Sequence, residues 1–271
     1  MNHFTSSISA ALFGLSTILL SACSNPSFDD IVVGDQRTEK EISRNAFRHP
    51  VDTLEFLNVQ PDMTVVEIWP GGGWYASILA PYLKDEGQYY AAHFDPESSV
   101  KFFRTMRSKF ENRMQSHAAF SNVTLSTMAP PEKLDIAPEG SADRVLTFRN
   151  VHNWMRNRSE QAVFNAFYKA LKPGGIVGVI EHRAPENFTY EQMVKSGYVK
   201  ESYVIQLAEK AGLELLGRSE INRNPQDTKN YVNGVWTLPP TLRVIDSQRD
   251  RMLSIGESDR MTLKFVKPAN D

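Results

Sequence analysis

At 271 residues, with 41% hydrophobic and 23% charged residues, the chain has the make-up of one globular domain that can bury a sizeable core. A formal charge of -2 supplies no basic surface for nucleic acid or an anionic partner. With one cysteine, no intrachain disulfide can form.

The amino terminus differs from the rest. Ala10 to Leu20 is an apolar run too short for a stop-transfer helix, and it ends in Leu20-Ser21-Ala22-Cys23. Small residues before the lone cysteine resemble the lipobox of bacterial lipoproteins, in which that cysteine is acylated and becomes the first residue after cleavage. The resemblance implies a signal peptide over 1–23, lipidation at Cys23 and a place in the cell envelope. No Lys or Arg precedes Arg37, so the amino terminus and His3 carry the positive charge of the leader. Ser24 stands where Asp would favour inner-membrane retention, which points to the periplasmic face of the outer membrane. Residues 24–36, polar and punctuated by Pro26 and Gly34, read as a tether, with the folded part starting near Arg37.

A polar helix is expected from Glu39 to Phe47 and a second from Val51 to Leu57, both crossing the front of a sheet. Thr64, Val65, Val66 and Ile68 then make a β-branched run of strand length, with Glu67 near its end. Pro70 and three glycines, Gly71, Gly72 and Gly73, follow, and Ala76, Ile78, Leu79 and Leu83 give the apolar face of a helix. Strand, glycine turn and helix form the entry unit of a doubly wound α/β domain, whose ligand lies at the carboxyl edge of the sheet.

The side chains around the turn discriminate between ligands. A P-loop needs Lys and Ser/Thr behind the glycines, where Trp74 and Tyr75 stand, so nucleoside triphosphate is disfavoured. A dinucleotide pattern fits Gly71, Gly73 and Ala76 but does not call for an acid in the strand. Glu67 suits a ligand with a positive amino group. Acid-x-x-x-Gly-x-Gly, here Glu67, Gly71 and Gly73, resembles the first motif of class I S-adenosylmethionine (SAM)-dependent methyltransferases. The resemblance implies a Rossmann-like, doubly wound, seven-stranded methyltransferase sheet with an antiparallel last strand, and S-adenosyl-L-methionine as cofactor. It further implies that Glu67 and the glycines, flanked by Trp74, hold the methionine part.

Gln88 to Phe94 reads as a second strand leading to Asp95. The resemblance gives Asp95 a ribose-binding role; Asp95-Pro96 equally suits the start of the helix bearing Val100, Phe103, Met106 and Phe110. Ser121 to Met128 is a third strand, without the acid that the family often places there for adenine. A fourth, Asp143 to Phe148, runs into Arg149-Asn150-Val151-His152-Asn153-Trp154. By resemblance that loop faces the transferred methyl group, with Asn150 and His152 positioning the acceptor and Arg149 on the cofactor. Asn157-x-x-Glu160 can start the next helix.

Leu171-Lys172-Pro173-Gly174-Gly175 stops that helix before the strand Ile176 to Ile180, and is the second resemblance to the same family. In Glu181-His182-Arg183, Glu181 or His182 could act as base, or a Glu–Arg pair could be structural. A helix from Tyr203 to Ala211 precedes strands Leu213 to Ile221 and Arg260 to Val266. The insertion between them, about 222–259, is long enough for a substrate-side lid. No close His/Cys ligand pair of zinc type occurs, so no metal is expected.

The reading is therefore an exported, lipid-anchored methyltransferase-like domain over 37–271, acting on an unknown small-molecule or envelope acceptor. The alternatives are a lipid-anchored nucleoside- or metabolite-binding protein on the same fold and an NAD(P)-dependent oxidoreductase.

Overall fold

The computed structural model describes Met1 and residues 27–269. The lipobox and Cys23 lie outside them. Seven strands form one sheet: β1 (Thr64–Ile68), β2 (Gln88–His93), β3 (Val123–Thr127), β4 (Ala142–Phe148), β5 (Leu171–His182), β6 (Glu214–Ser219) and β7 (Arg260–Val266), in the order β3-β2-β1-β4-β5-β7-β6. Neighbours from β3 to β5 pair in parallel, while β7 runs antiparallel to both β5 and β6. Chain order reverses between β1 and β4, and the crevice for a ligand opens at their carboxyl ends.

Alternation along the strands builds the two faces. Val65, Tyr89, Ala91 and Leu146 pack under α4 (Pro50–Phe56), α5 (Ala76–Tyr82) and α6 (Lys101–Met114). Val66, Ile68, Ala92, Val145 and Val177 meet α8 (Glu160–Ala170) and α10 (Glu201–Lys210) on the other face. The other helices are α1 (Phe28–Ile31), α2 (Glu39–Ile42), α3 (Asn45–Arg48), α7 (Val151–Trp154), α9 (Tyr190–Ser196) and α11 (Asp246–Ile255). No helix among the described residues is long and apolar enough to cross a membrane. Gly178 on β5 lets α4 come close: a Cβ there would lie 2.7 Å from Leu57 Cδ1.

The structure corrects several expected boundaries. Packing is present ahead of Arg37 among the described residues. Phe28, Ile31 and Val32 share one helical face, are buried, and bring Phe28 into a 3.8 Å stack with Tyr82, a spacing that the surrounding polar residues obscure. The helix expected over 39–47 breaks into α2 and α3, and His49, left-handed at φ 41°, turns the chain into α4. Asp95 does not start α6, which is capped at Val100; its Oδ1 instead accepts the Glu97 N–H at 3.0 Å in a turn of its own. Ser159, rather than Asn157, sits at the start of α8, and its hydroxyl donates to Asn157 Oδ1.

The insertion between β6 and β7 is ordered around its root. Asp227 accepts from the Tyr198 hydroxyl at 3.0 Å and from the Asp259 N–H at 2.8 Å, and Asp259 pairs with Arg183 and Lys229. From that root Val235, Trp236, Pro239 and Pro240 reach over the carboxyl edge of the sheet and line its cavity.

Candidate functional site

The chain leaves β1 through Trp69, held left-handed at φ 45° with its N–H on Ala92 O. A residue with a side chain sits in that region at a cost of about 1–2 kcal/mol, so packing must hold it there. The indole N–H donates to Met128 O at 2.9 Å, and the ring packs on Phe94 and Trp154. Trp69 thereby stands between two cavities, which share it with Gly71 and Asn150.

The larger cavity, about 830 Å³, is charged. Gly71 and Gly72 form its floor: a Cβ added to either would meet nothing within 4 Å, so bare main chain faces the space. Gly73 faces α6, where a Cβ would lie 3.2 Å from Phe110 Cε2. It packs against that helix and lines neither cavity, unlike Gly71. His93 braces the turn, with Nε2 3.0 Å from Gly71 O and Nδ1 accepting the Phe94 N–H at 2.7 Å. Burial drags its pKa down to about 4, so the ring is neutral and donates from Nε2.

Glu67 lines this cavity from beneath and is buried, accepting the Tyr89 hydroxyl at 2.6 Å. Burial lifts its carboxyl to about 7, against the pull of the Tyr89 bond and of Arg149 and Arg113. Trp74 belongs to the wall, its indole N–H on Glu41 O and the Arg37 and Arg48 guanidinium groups 4.6 and 4.5 Å from its ring.

After β4 the loop supplies three of the expected residues, in different roles. Asn150 donates its amide to Ile68 O (2.8 Å) and Thr147 Oγ1 (3.3 Å), tying β4 to the end of β1. That makes it a positioning residue. His152 brings Nδ1 to 3.1 Å from Glu181 Oε1, and the backbone N–H groups of His152 and His182 also point at the Glu181 carboxylate. A carboxylate so surrounded accepts, so His152 carries its proton on Nδ1 and keeps Nε2 as a base. Glu181 therefore pairs with His152; Arg183 pairs with Glu220 and Asp259 instead. His182 bonds Ser258 Oγ through Nδ1 and is kept neutral by burial, with His152, Arg149 and Arg260 adding to the effect. Trp154 is core, fully buried against Phe167.

His152, Glu181 and His182 offer ligand atoms within 4.8 Å of one another, the one such group found among the described residues.

Apart from Arg149, expected on the cofactor, the remaining charged residues here were not legible as a site. Arg44, Arg48 and Arg260 converge on Glu257 at 2.7, 3.1 and 3.3 Å. Burial would raise Glu257, but the fields of Arg48, Arg260, Arg149 and Arg44 outweigh it and hold the carboxyl at about 2. Arg149, left-handed at φ 63°, donates its backbone N–H to Ile180 O at 2.7 Å, while its guanidinium lines the cavity without a hydrogen-bonded or ion-paired partner among the described residues.

The second cavity, about 760 Å³, is aromatic. Phe94 and Phe103 stack at 4.5 Å, with Met128, Ala129 and Pro130 opposite. Asp95 lies here, apart from Glu67, its Oδ2 2.6 Å from Lys133 Nζ.

No protein-family model and no curated protein matches this chain. Solved structures do. A SAM-dependent methyltransferase from Aquifex aeolicus superposes with TM-score 0.56 at 13% identity, over 83% of this chain and 93% of that one. SAM-dependent methyltransferases from Methanosarcina mazei give TM-score 0.52 at 10% identity over 79% and 96%. The [4+2]-cyclase SpnF gives 0.57 at 15% identity over 87% and 85%. The sheet is thus the Rossmann-like sheet of class I methyltransferases, as the two sequence motifs implied. One neighbour is named for a cyclisation, so the fold alone does not name the reaction.

Proposed function

We propose that this protein is a SAM-dependent methyltransferase, lipid-anchored in the bacterial envelope through Cys23, acting on a small-molecule or envelope acceptor. The observation that carries the reading is the bare Gly71–Gly72 main chain beside the buried Glu67 carboxylate, at the switch point of a methyltransferase-type sheet.

The residues fit an elongated ligand with one charged and one flat end. Glu67 and the N–H groups of the turn would hold the aminoacyl end in the charged cavity. Phe94, Phe103, Met128 and Asp95 would take the nucleoside in the aromatic one, with Trp69 between the two. SAM, when bound, supplies a methyl group activated on a sulfonium centre. His152 Nε2 takes the acceptor's proton, and Glu181 fixes the ring and stabilises its charge. The insertion covers the cavity and excludes water, while Asn150 keeps the β4 loop in register with β1.

Four residues, Ser24 to Ser27, separate Cys23 from Phe28, the first buried side chain among the described residues. An extended chain spans about 3.4 Å per residue, so an acylated Cys23 would keep the domain within about 20 Å of the bilayer.

Calorimetric titration with SAM and S-adenosylhomocysteine tests the reading. Both should bind, and His152→Ala should leave both affinities in place while slowing methyl transfer by about 10²–10⁴-fold. Absence of binding by either ligand at millimolar concentration would overturn it; binding of NAD(H) instead would favour the oxidoreductase alternative.

A further inference from the structure

The charged cavity holds more positive charge than its own carboxylates balance. Arg44, Arg48 and Arg260 share one carboxylate, Glu257, and Arg149 beside them pairs with none among the described residues. Glu67, the next carboxylate along the wall, is held partly protonated near neutral pH. Glu41 is taken up by a two-pronged pair with Arg113.

The hydrogen-bond account is unbalanced in the same direction. Arg48 is 1% exposed, yet its Nη1 has no partner; neither does Arg44 Nη2 nor Arg260 Nε, all three being buried nitrogens. Buried guanidinium donors left unmade are costly; Arg44 and Arg48, which line the cavity, each carry one, while Arg260 lies behind it. Planar forks of donors match the oxygens of a carboxylate or phosphate.

Resting on the methyltransferase reading, we propose that the methyl acceptor is an oxyanion, a carboxylate or phosphate compound whose charged group docks on Arg149, Arg48 and Arg44. His152 and His182 line the same cavity, so an acceptor anchored on the arginines would lie against the base. The anion supplies the counter-charge that Glu257 alone does not, and it leaves Glu67 and the glycine turn to the cofactor.

The test is calorimetry at constant ionic strength on protein saturated with S-adenosylhomocysteine, titrated separately with inorganic phosphate and with succinate. At least one should bind, and the arm that gives heat identifies the oxyanion. Arg149→Gln should weaken that binding by about tenfold or more, the scale of one charge-assisted hydrogen bond, and Arg149→Lys by less. Because burial opposes the Arg149 charge more than the field of Glu257 favours it, Arg149→Gln should also raise the melting temperature of the free protein, which loss of a structural contact would not do. Arg44→Gln, at a half-buried position, gives the same binding readout should Arg149→Gln fold poorly.

Failure of both anions to bind overturns the proposal. So does competition with S-adenosylhomocysteine, which would make the arginines the cofactor's carboxylate site. Unchanged phosphate or succinate affinity in the Arg149 and Arg44 variants overturns it too. Loss of S-adenosylhomocysteine binding itself is a separate result that removes the methyltransferase reading beneath it.

Discussion

The two cavities that meet at Trp69 use opposite physics. One is walled by guanidinium groups, the His152–His182 pair and a carboxyl of raised pKa; the other by stacked phenylalanines, methionine and a carboxylate near the surface. In the first, selectivity for a ligand would come from unmatched charge in a partly dehydrated space, where each pair counts heavily. In the second it comes from shape and ring stacking, which tolerate substitution. One ligand could span both, which makes the divider itself part of the recognition.

The largest effect should come from the carboxylate that holds the charged wall together. Glu257→Gln leaves Arg44, Arg48 and Arg260 facing one another with no counter-charge, and breaking a buried cluster in this way costs about 3–5 kcal/mol. Denaturant unfolding measures it. Added phosphate should restore part of the loss by binding the folded state alone. A loss below about 1 kcal/mol, no larger than for an exposed pair, would show that the cluster is not dry and that the contrast between cavities is overstated.

Glu67 gives the second effect and its pH signature. Its carboxyl titrates near 4.5 in the unfolded chain and at about 7 in the fold. Between those values the folded state holds a proton that the unfolded state has lost, so this group's contribution to stability falls as pH rises from about 4.5 to 7. His93, depressed from 6.5 to about 4, has the opposite slope over an overlapping range, so global stability does not isolate Glu67. Cofactor affinity does. It should rise as Glu67 ionises through pH 7 and turn over near about 8, where an α-amino group loses its own charge. Glu67→Gln keeps a partner for Tyr89, removes the rising limb and weakens SAM by about 10- to 100-fold. A flat profile in the wild type would take Glu67 out of the binding site.

How much of this was legible in the sequence follows from how far apart the cooperating residues lie. The sheet was readable because β-branched runs and the two glycine turns are local signals, and β1, β4 and β7 fall within a residue of their expected bounds. His152 and Glu181 were readable because each follows or ends a strand whose carboxyl edge faces the crevice. Of the arginine wall only Arg149 was readable; the rest was not, since Arg48 and Glu257 are separated by 209 positions and neither belongs to a motif. Nor could spacing tell which glycine faces the ligand. Gly71 and Gly73 both take positive φ, and only the position of α6 makes one open and the other packed. Trp69 carried a local hint, an aromatic residue directly after a strand, but its left-handed conformation and its hold on Met128 depend on β3.

The smallest effect belongs to Asp95, and it tests whether the aromatic cavity relies on charge at all. Its carboxylate is held below the usual range by the hydrogen bond from Lys133, then by the Glu97 N–H. Each carboxylate oxygen has a second lone pair, so both could also accept from vicinal ribose hydroxyls without breaking the existing bonds. Lys133 is half exposed, and water screens the pair. Asp95→Asn should therefore weaken S-adenosylhomocysteine by no more than about fivefold, and added salt should change that loss little. Adenine, which lacks the ribose, should bind the Asp95→Asn variant and the parent equally. A loss as large as that of Glu67→Gln would mean that the second cavity also works by desolvated charge and that Trp69 divides two sites of one kind.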